Sequence, residues 1–529
     1  MHWADVVASK LLQRGGAHRI ASGTSISGLI HLGNAGDVIY AEGIARALHE
    51  KGAPAEVIWI ADDVDPLRGL PEQIPPSFAE HLGKPVCNLP DPDGCHRGFT
   101  DHFILPFLES LERVGIRPIE KRGSAMYAAG EYDDAVRVSL RKAVEIRTIL
   151  EEVSHSKKPE GWMPFDAICE SCGRIATTDA TSFEGDRIHY SCGGGVAGKK
   201  EMMGCGHQGT TGLRGGKLTW RVEWAARWKI LGITCEPFGK EHSAAGGSYD
   251  TSKVISQQVF GYPPPEPVLY EYILVAGAKM SKSKGNVIAL SQLLDVLPPE
   301  VVRYFYFRGE PNKHKDFDPA QKLPALVEEF ERAQGMAAGR VSPSKREDEE
   351  DLSRSVALSQ IVAGKPVDYG PIPFAHLVTI CQISADEESA LDAIRRSGFA
   401  PPTSTQERHL LTLRLERARA FVTTYVPAAQ RIRVLKELAD VPRDRLPDGS
   451  APFFRALAGE LERAAWEAGA IHNSIFAAAK AAGLPTAHAF KAVYLATCGQ
   501  EKGPRAGYFL ASLGRPFVLQ RFEALAAPR

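Results

Sequence analysis

The sequence has no run of about 18 consecutive apolar residues, so it offers no helix able to cross a membrane. It also lacks an excess of either charge. Lys and Arg number 63 and Asp and Glu 64, a net charge of −1. That balance excludes a globally basic nucleic-acid coat and leaves room for a local basic face. The stretch "MHWADVVASKLLQRGG" carries Asp5 and has no apolar core of signal-peptide length. No internal repeat or low-complexity tract is found. Cysteine is modest in amount, odd in number at nine, and partly clustered, which points to reduced thiols and metal binding rather than disulfides. A cytoplasmic protein with no membrane partner is the expectation. Against these absences, 44% hydrophobic and 24% charged residues are the proportions of an ordinary globular protein. A chain of 529 residues exceeds a single core, so roughly three or four domains are expected.

The first stretch alternates strand and helix patterns. "RIASG" leads into "GLIHLGNAGD", Gly36 to Glu50 has helical apolar spacing, and "AEVIWIADD" reads as a buried strand ending in carboxylates. This is a doubly wound, Rossmann-like α/β arrangement with a ligand turn at the strand's carboxyl end. Residues 91–215 break the rhythm with cysteines and glycine-rich runs and read as a connective insertion. The α/β pattern of residues 1–90 resumes over 216–300. Residues 301–351 read as a helical connection. The polar stretch "SPSKREDEEDLSRS", Ser342 to Ser355, is either a helix start or a linker, and its charge density and lack of apolar spacing favour the linker. Residues 352–529 have apolar positions every three to four and read as an all-α domain.

Two short stretches carry phosphate chemistry. His31 and Asn34 stand at a helix start beside Gly28 and Gly33, where backbone N–H groups and an imidazole can meet a phosphate. Downstream, "AKMSKSKGN" puts Lys279, Lys282 and Lys284 among Met280, Ser281 and Ser283 in a cationic loop. Adenylate formation from ATP needs charge neutralised on the transferring phosphoryl group and on pyrophosphate, and positioned cations do this. "CESC" supplies Cys169 and Cys172, followed by Cys192 and then "GCGH" with Cys205 and His207. That spacing suits a closed structural Zn²⁺ site of Cys169, Cys172, Cys192 and Cys205, with His207 as an alternative to one of them. Cys87, Cys95, Cys235, Cys381 and Cys498 read as isolated buried thiols.

"HLGN" and "KMSKS" resemble the two signature motifs of class I aminoacyl-tRNA synthetases. With "ASGTSISGLIHLGN", "ADDVDPLR", "TWRVEWAARW", "EPFGKEHSAAGGSYDT" and "KGPRAGYFLASLGRPFV", the chain resembles the class I lysyl-tRNA synthetases of archaea and some bacteria. It departs from the general class signature at Asn34, where a second histidine is usual, and at Ile26, where proline is frequent. The resemblance implies an ATP- and Mg²⁺-dependent lysine–tRNA ligase acting in protein biosynthesis, with L-lysine, ATP and tRNA(Lys) as partners. The sequence does not give the oligomeric state; a monomer is the expectation. It implies phosphate contacts from His31 and Asn34, close backbone approach at Gly28 and Gly33, and a mobile loop in which Lys282 and Lys284 share the transition-state role. It further implies a lysine site of Gly23, Ser25, Trp220 or Trp224, His242 and Tyr270. Asp62, Asp63 and Asp65 stand at a strand end, where they either meet the lysine ammonium, with Asp62 the candidate, or cap the following helix. Glu241 and Asp250 flank the glycine-rich "AAGGSYD" and are candidates for substrate or ribose hydroxyls. Pro485 to Arg529 carries six basic residues against two acidic ones, which fits phosphate contact. Lys502, Arg505 and Arg515 are the expected tRNA contacts there, in an anticodon-binding domain. The competing readings are a glutamyl or cysteinyl enzyme, a nucleotidylyltransferase sharing the histidine signature, and a non-catalytic tRNA-binding paralogue.

Overall fold

The computed structural model describes residues 1–71, 73–197, 200–280, 286–320, 322–342 and 346–527. These fall into two compact units. One comprises Met1–Leu294, Pro299–Asp318 and Met336–Pro366, the other Asp295–Pro298, Pro319–Gly335 and Val367–Arg529. The long run of the second unit begins at Val367, and the stretch read in sequence as the connection 301–351 is shared between the two units. No helix among the described residues is long and apolar enough to cross a membrane.

The first unit is built on a five-stranded parallel sheet. Across it lie Glu266–Tyr270, Cys235–Gly239, His18–Ser25, Ala55–Asp62 and Ile119–Arg122. The central strand thus has earlier and later strands on opposite sides, the switch point at which doubly wound sheets bind ligands. Val57 to Ala61 form a nearly unbroken apolar run, as expected of a strand covered on both faces. Register sets Ser25 beside Asp62 and Gly239 beside Tyr270, so several strands end together at one rim. The outer strand Ile119–Arg122 comes from the stretch read in sequence as insertion.

From the central strand the chain turns at Gly28, whose φ of 132° favours glycine, into the helix Leu32–Glu50. That helix is buried nearly all round. Gly43 is small because a methyl there would overlap the Phe307 ring. Buried Arg303 joins this helix to two other segments: it pairs with Glu42 and donates to Val114 O (3.1 Å), just past the helix Phe99–Arg113, and to Leu358 O (2.7 Å). Leu358 belongs to the helix Arg346–Ser359, which replaces the linker expected there. Ser355 Oγ donates to Phe307 O at 3.3 Å, and Arg354 pairs with Asp5 at 2.9 Å. The charge run conceals a buried face formed by Ser355, Val356, Leu358 and Ser359.

Within the same unit, Phe165–Ala167 pairs antiparallel with Gly216–Leu218 and closes off a small β module. Inside it are a three-stranded sheet (Asp179–Glu184, Arg187–Ser191, Gln208–Gly212) and the hairpin Gly194–Ala197 with Lys200–Met203. Beyond Val367 the second unit is helical, with a core that includes Phe453, Leu457, Ile475, Val493, Phe509 and Phe522.

Candidate active site and metal centres

A cavity of about 410 Å³ opens at the strand ends around the switch point. Gly23, Ser25, His31, Asn34, Asp62, Trp220, Trp224, His242 and Tyr270 all line it. These are the sequence-derived lysine-site residues together with the first signature pair.

His31 caps the signature helix: its Nδ1 accepts the Gly33 N–H at 3.1 Å. An accepting Nδ1 puts the proton of the neutral ring on Nε2, the donor a phosphate needs. A methyl at Gly33 would come within 2.9 Å of His31 Cε1 and displace the ring, so this glycine fixes the histidine. The second signature approaches the same turn. Met280 Cε lies 3.7 Å from where a Gly33 Cβ would be, and Leu32 N–H donates to Ile288 O at 2.9 Å. Ser281, Lys282, Ser283 and Lys284 lie outside the described residues, but both flanks of their segment lie against the His31 turn. Lys279 sits over the Tyr272 ring, 3.4 Å from its centroid, and its carbonyl accepts from Asn286 at 3.1 Å.

The carboxylates of "ADDVD" are sorted by their partners. Asp62 is held by the buried Arg227, whose Nε also donates to the Tyr132 hydroxyl oxygen at 3.2 Å. Asp63 turns away and takes Ser124 N–H at 2.7 Å, capping the helix Gly123–Ala129. Asp65 accepts from Ser25 Oγ at 2.8 Å and from Lys217 at 2.7 Å; Lys217 also pairs with Glu223 at 2.7 Å.

On the opposite wall, Tyr270 OH donates to Asp37. Burial, reinforced by the nearby Glu241 and Glu236 charges, pushes the Asp37 carboxyl well above its ordinary range despite that bond. Glu236 is pushed up to about 7 by burial, although the Trp224 and Trp228 indoles donate to its two oxygens at 3.0 and 2.6 Å. Trp220 stacks on Trp224 (centroids 5.2 Å, 16°), and His242 lies 5.6 Å from Trp224. Burial lowers the His242 pKa, which keeps the ring neutral near pH 7. Asp250 accepts the Gly246 N–H at 3.0 Å. The sequence reading missed Asp37, Lys217, Arg227 and Glu236. Asp37, one turn beyond Asn34 on the signature helix, was within reach of it.

Among the described residues, two groups of side chains able to hold a metal ion lie elsewhere in this unit. The Sγ atoms of Cys169, Cys172, Cys192 and Cys205 lie within 4.8 Å of one another, with Cys169–Cys205 at 3.6 Å and Cys172–Cys192 at 3.8 Å. Tetrahedral Zn–S bonds of about 2.3 Å put sulfurs about 3.8 Å apart, so the set fits zinc. His207 is directed instead to Glu170 Oε1 at 2.7 Å. The second cluster is Asp91, Cys95, His96 and His102. Cys95 Sγ lies 3.0 Å from His96 Nδ1 and 3.4 Å from His102 Nδ1, and Asp91 is 3.2 Å from His102. Cys95 is exposed rather than the buried thiol expected.

In the second unit the expected RNA contacts have different surroundings. Lys502 is exposed. Arg505 pairs with Glu328 at 2.9 Å. Arg515 donates to the carbonyls of Leu461, Glu462 and Ala464 and so closes the end of the helix Ser450–Arg463. Arg521 likewise serves Ala496, Leu435 and Lys436 carbonyls. Two charges of the basic excess are therefore used within the fold.

Among known proteins, residues 1–362 match the family described as tRNA synthetases class I (K), and residues 436–526 match the anticodon binding domain. The chain is 42% identical to the lysine–tRNA ligase of Archaeoglobus fulgidus, over 99% of this chain and 100% of that one. It is 38% identical to that of Methanosarcina barkeri (99% and 97% covered) and 34% identical to that of Methanocaldococcus jannaschii (99% and 99%). A family match over more than half the chain, and relatives aligned along its whole length, place it plainly: the chain belongs to the class I lysine–tRNA ligase family.

Proposed function

We propose that this chain activates L-lysine with ATP and transfers it to tRNA(Lys), releasing diphosphate and AMP. The observation that carries this reading is the convergence of the histidine turn, both flanks of the lysine loop and an acidic, aromatic-walled cavity at one sheet rim. The lysine carboxylate is already ionised near neutral pH, so no general base is needed for its attack on the α-phosphorus, and diphosphate leaves with the bonding pair. His31 Nε2 and Asn34 meet the phosphates, and Gly28 and Gly33 let the nucleotide approach backbone. Lys279, Lys282 and Lys284, with Met280, Ser281 and Ser283 as loop neighbours, neutralise the leaving charge. Mg²⁺ supplies further neutralisation when bound with ATP.

The lysine side chain lies along Trp220, Trp224 and His242, over Gly23 and Ser25. Its ammonium pairs with Asp37, which Tyr270 orients, because Asp62 and Asp65 already have cationic partners. An ammonium there relieves the cost of ionising a buried carboxyl. Cys169, Cys172, Cys192 and Cys205 would hold a structural Zn²⁺ that ties the module together, and Asp91, Cys95, His96 and His102 would hold a second. Residues 352–529 bind the anticodon stem-loop, with Lys502 and Arg505 at the contact and Arg515 stabilising the helices behind it. The test is product analysis. Charging should yield AMP and diphosphate in equal amounts with lysyl-tRNA; ADP as the nucleotide product, or no nucleotide turnover with lysine and tRNA present, would refute the reading.

A further inference from the structure

A second cavity, of about 240 Å³, lies within the second unit between the helices Phe374–Ile383 and Ala506–Leu513. Pro373, His376, Thr379, Pro504, Arg505 and Tyr508 form its wall. It is lined by rings and prolines, and its cation is the Arg505 guanidinium, exposed and paired with Glu328. Tyr508 is backed by Phe399 in a near-parallel stack (5.7 Å, 11°), which holds the phenol ring in place.

His376 adds a polar group to this apolar wall. It is only 4% exposed, and its Nδ1 has no hydrogen-bond partner among the described residues. Ser397 Oγ spends its hydrogen on Ala393 O (2.6 Å) and so accepts from His376 Nε2 at 2.8 Å. The neutral ring therefore leaves Nδ1 as an unused acceptor. Burial, which pushes the His376 pKa down to about 4, keeps it so at neutral pH. Buried polar groups ordinarily find partners, and an orphan acceptor in a cavity wall marks a place for a ligand donor. A braced aromatic face, a guanidinium at the rim and a buried acceptor suit a planar heterocycle bearing N–H and C=O groups. Proteins read single-stranded RNA with the same combination of stacking and edge contacts.

We propose that this cavity receives one unstacked base of the tRNA anticodon loop, stacked on Tyr508, with Arg505 and His376 meeting its edge. The proposal rests on the ligase reading and deepens it. It extends RNA recognition to Pro373–Thr379, which lie outside the matched anticodon domain.

The test uses the full chain and lysine tRNA transcripts carrying a single 4-thiouridine at each uridine of the anticodon loop in turn. Irradiation should crosslink one position to the peptide containing Tyr508 or to that containing Pro373–Thr379. Arg505→Gln and Tyr508→Ala should each raise KM for tRNA about tenfold or more while leaving KM for lysine unchanged, and Tyr508→Phe should restore the wild-type value. Crosslinks confined to other peptides, or tRNA KM within twofold of wild type in both variants, would overturn the proposal. Those results with normal charging by the wild type would leave the ligase reading intact; absence of lysine charging by the wild type would remove the ligase reading itself.

Discussion

His31 lines the cavity, and its Nδ1 accepts the Gly33 N–H, which makes Nε2 the donor of the neutral ring. His31→Ala should lower kcat more than it raises KM for lysine, because the contact strengthens as phosphate charge develops. Losing one such interaction costs about 3 kcal/mol, on the order of a hundredfold in steady-state turnover. Asp37 makes a different prediction. Its raised pKa means a neutral carboxyl at low pH, and only the ionised form pairs with an ammonium. Lysine kcat/KM should therefore rise with pH as Asp37 ionises. Asp37→Asn should flatten that rise and raise KM for lysine by about ten- to a hundredfold, measured at saturating ATP. Glu236 faces the same space and is raised by burial, so an unchanged pH profile in Asp37→Asn would assign the titration to Glu236 and contradict the role given to Asp37. The turn residues were legible in the sequence because their chemistry is local. Arg227 and Lys217 were not, since their partners Asp62 and Asp65 lie 165 and 152 residues away along the chain.

The strand and helix of the signature unit follow from local pattern, an apolar run and then a small-residue helix. The helix Arg346–Ser359 does not, because its polar stretch hides a narrow buried face that Arg303 and Phe307 engage from distant sequence. The four-thiol cluster was legible from "CESC" and "GCGH", and the sulfurs converge in the fold. The second cluster escaped because its members are one thiol, one carboxylate and two imidazoles, a mixture that a count of cysteines overlooks. Freshly purified protein should hold about one Zn²⁺ for each occupied cluster. Cys169→Ser should lose one equivalent and expose the module to proteolysis while the sheet stays folded. Retention of all metal by this variant would exclude the four-thiol centre.

The two compact units correspond to the two tasks of a tRNA ligase. One carries the cavity at the sheet's switch point, where we propose that the adenylate forms; the other carries a helical core matched in part to an anticodon-binding domain. Composition separated these regions coarsely, as alternating strands and helices followed by helices alone. The boundary shifted because the helix Arg346–Ser359 packs with the first unit. The basic excess near the C-terminus was a weaker guide than its net charge implied, since Arg515 and Arg521 bond to backbone carbonyls inside the fold. In the proposed reading, lysine specificity lies in the acidic, indole-walled cavity of the first unit, where Asp37 suits an ammonium and not a carboxylate side chain. The most direct measurement is charging of total tRNA by the full chain, with ATP and Mg²⁺, for each standard amino acid in turn. The account predicts efficient charging with lysine alone; efficient charging with glutamate or cysteine, or none with lysine, would contradict it.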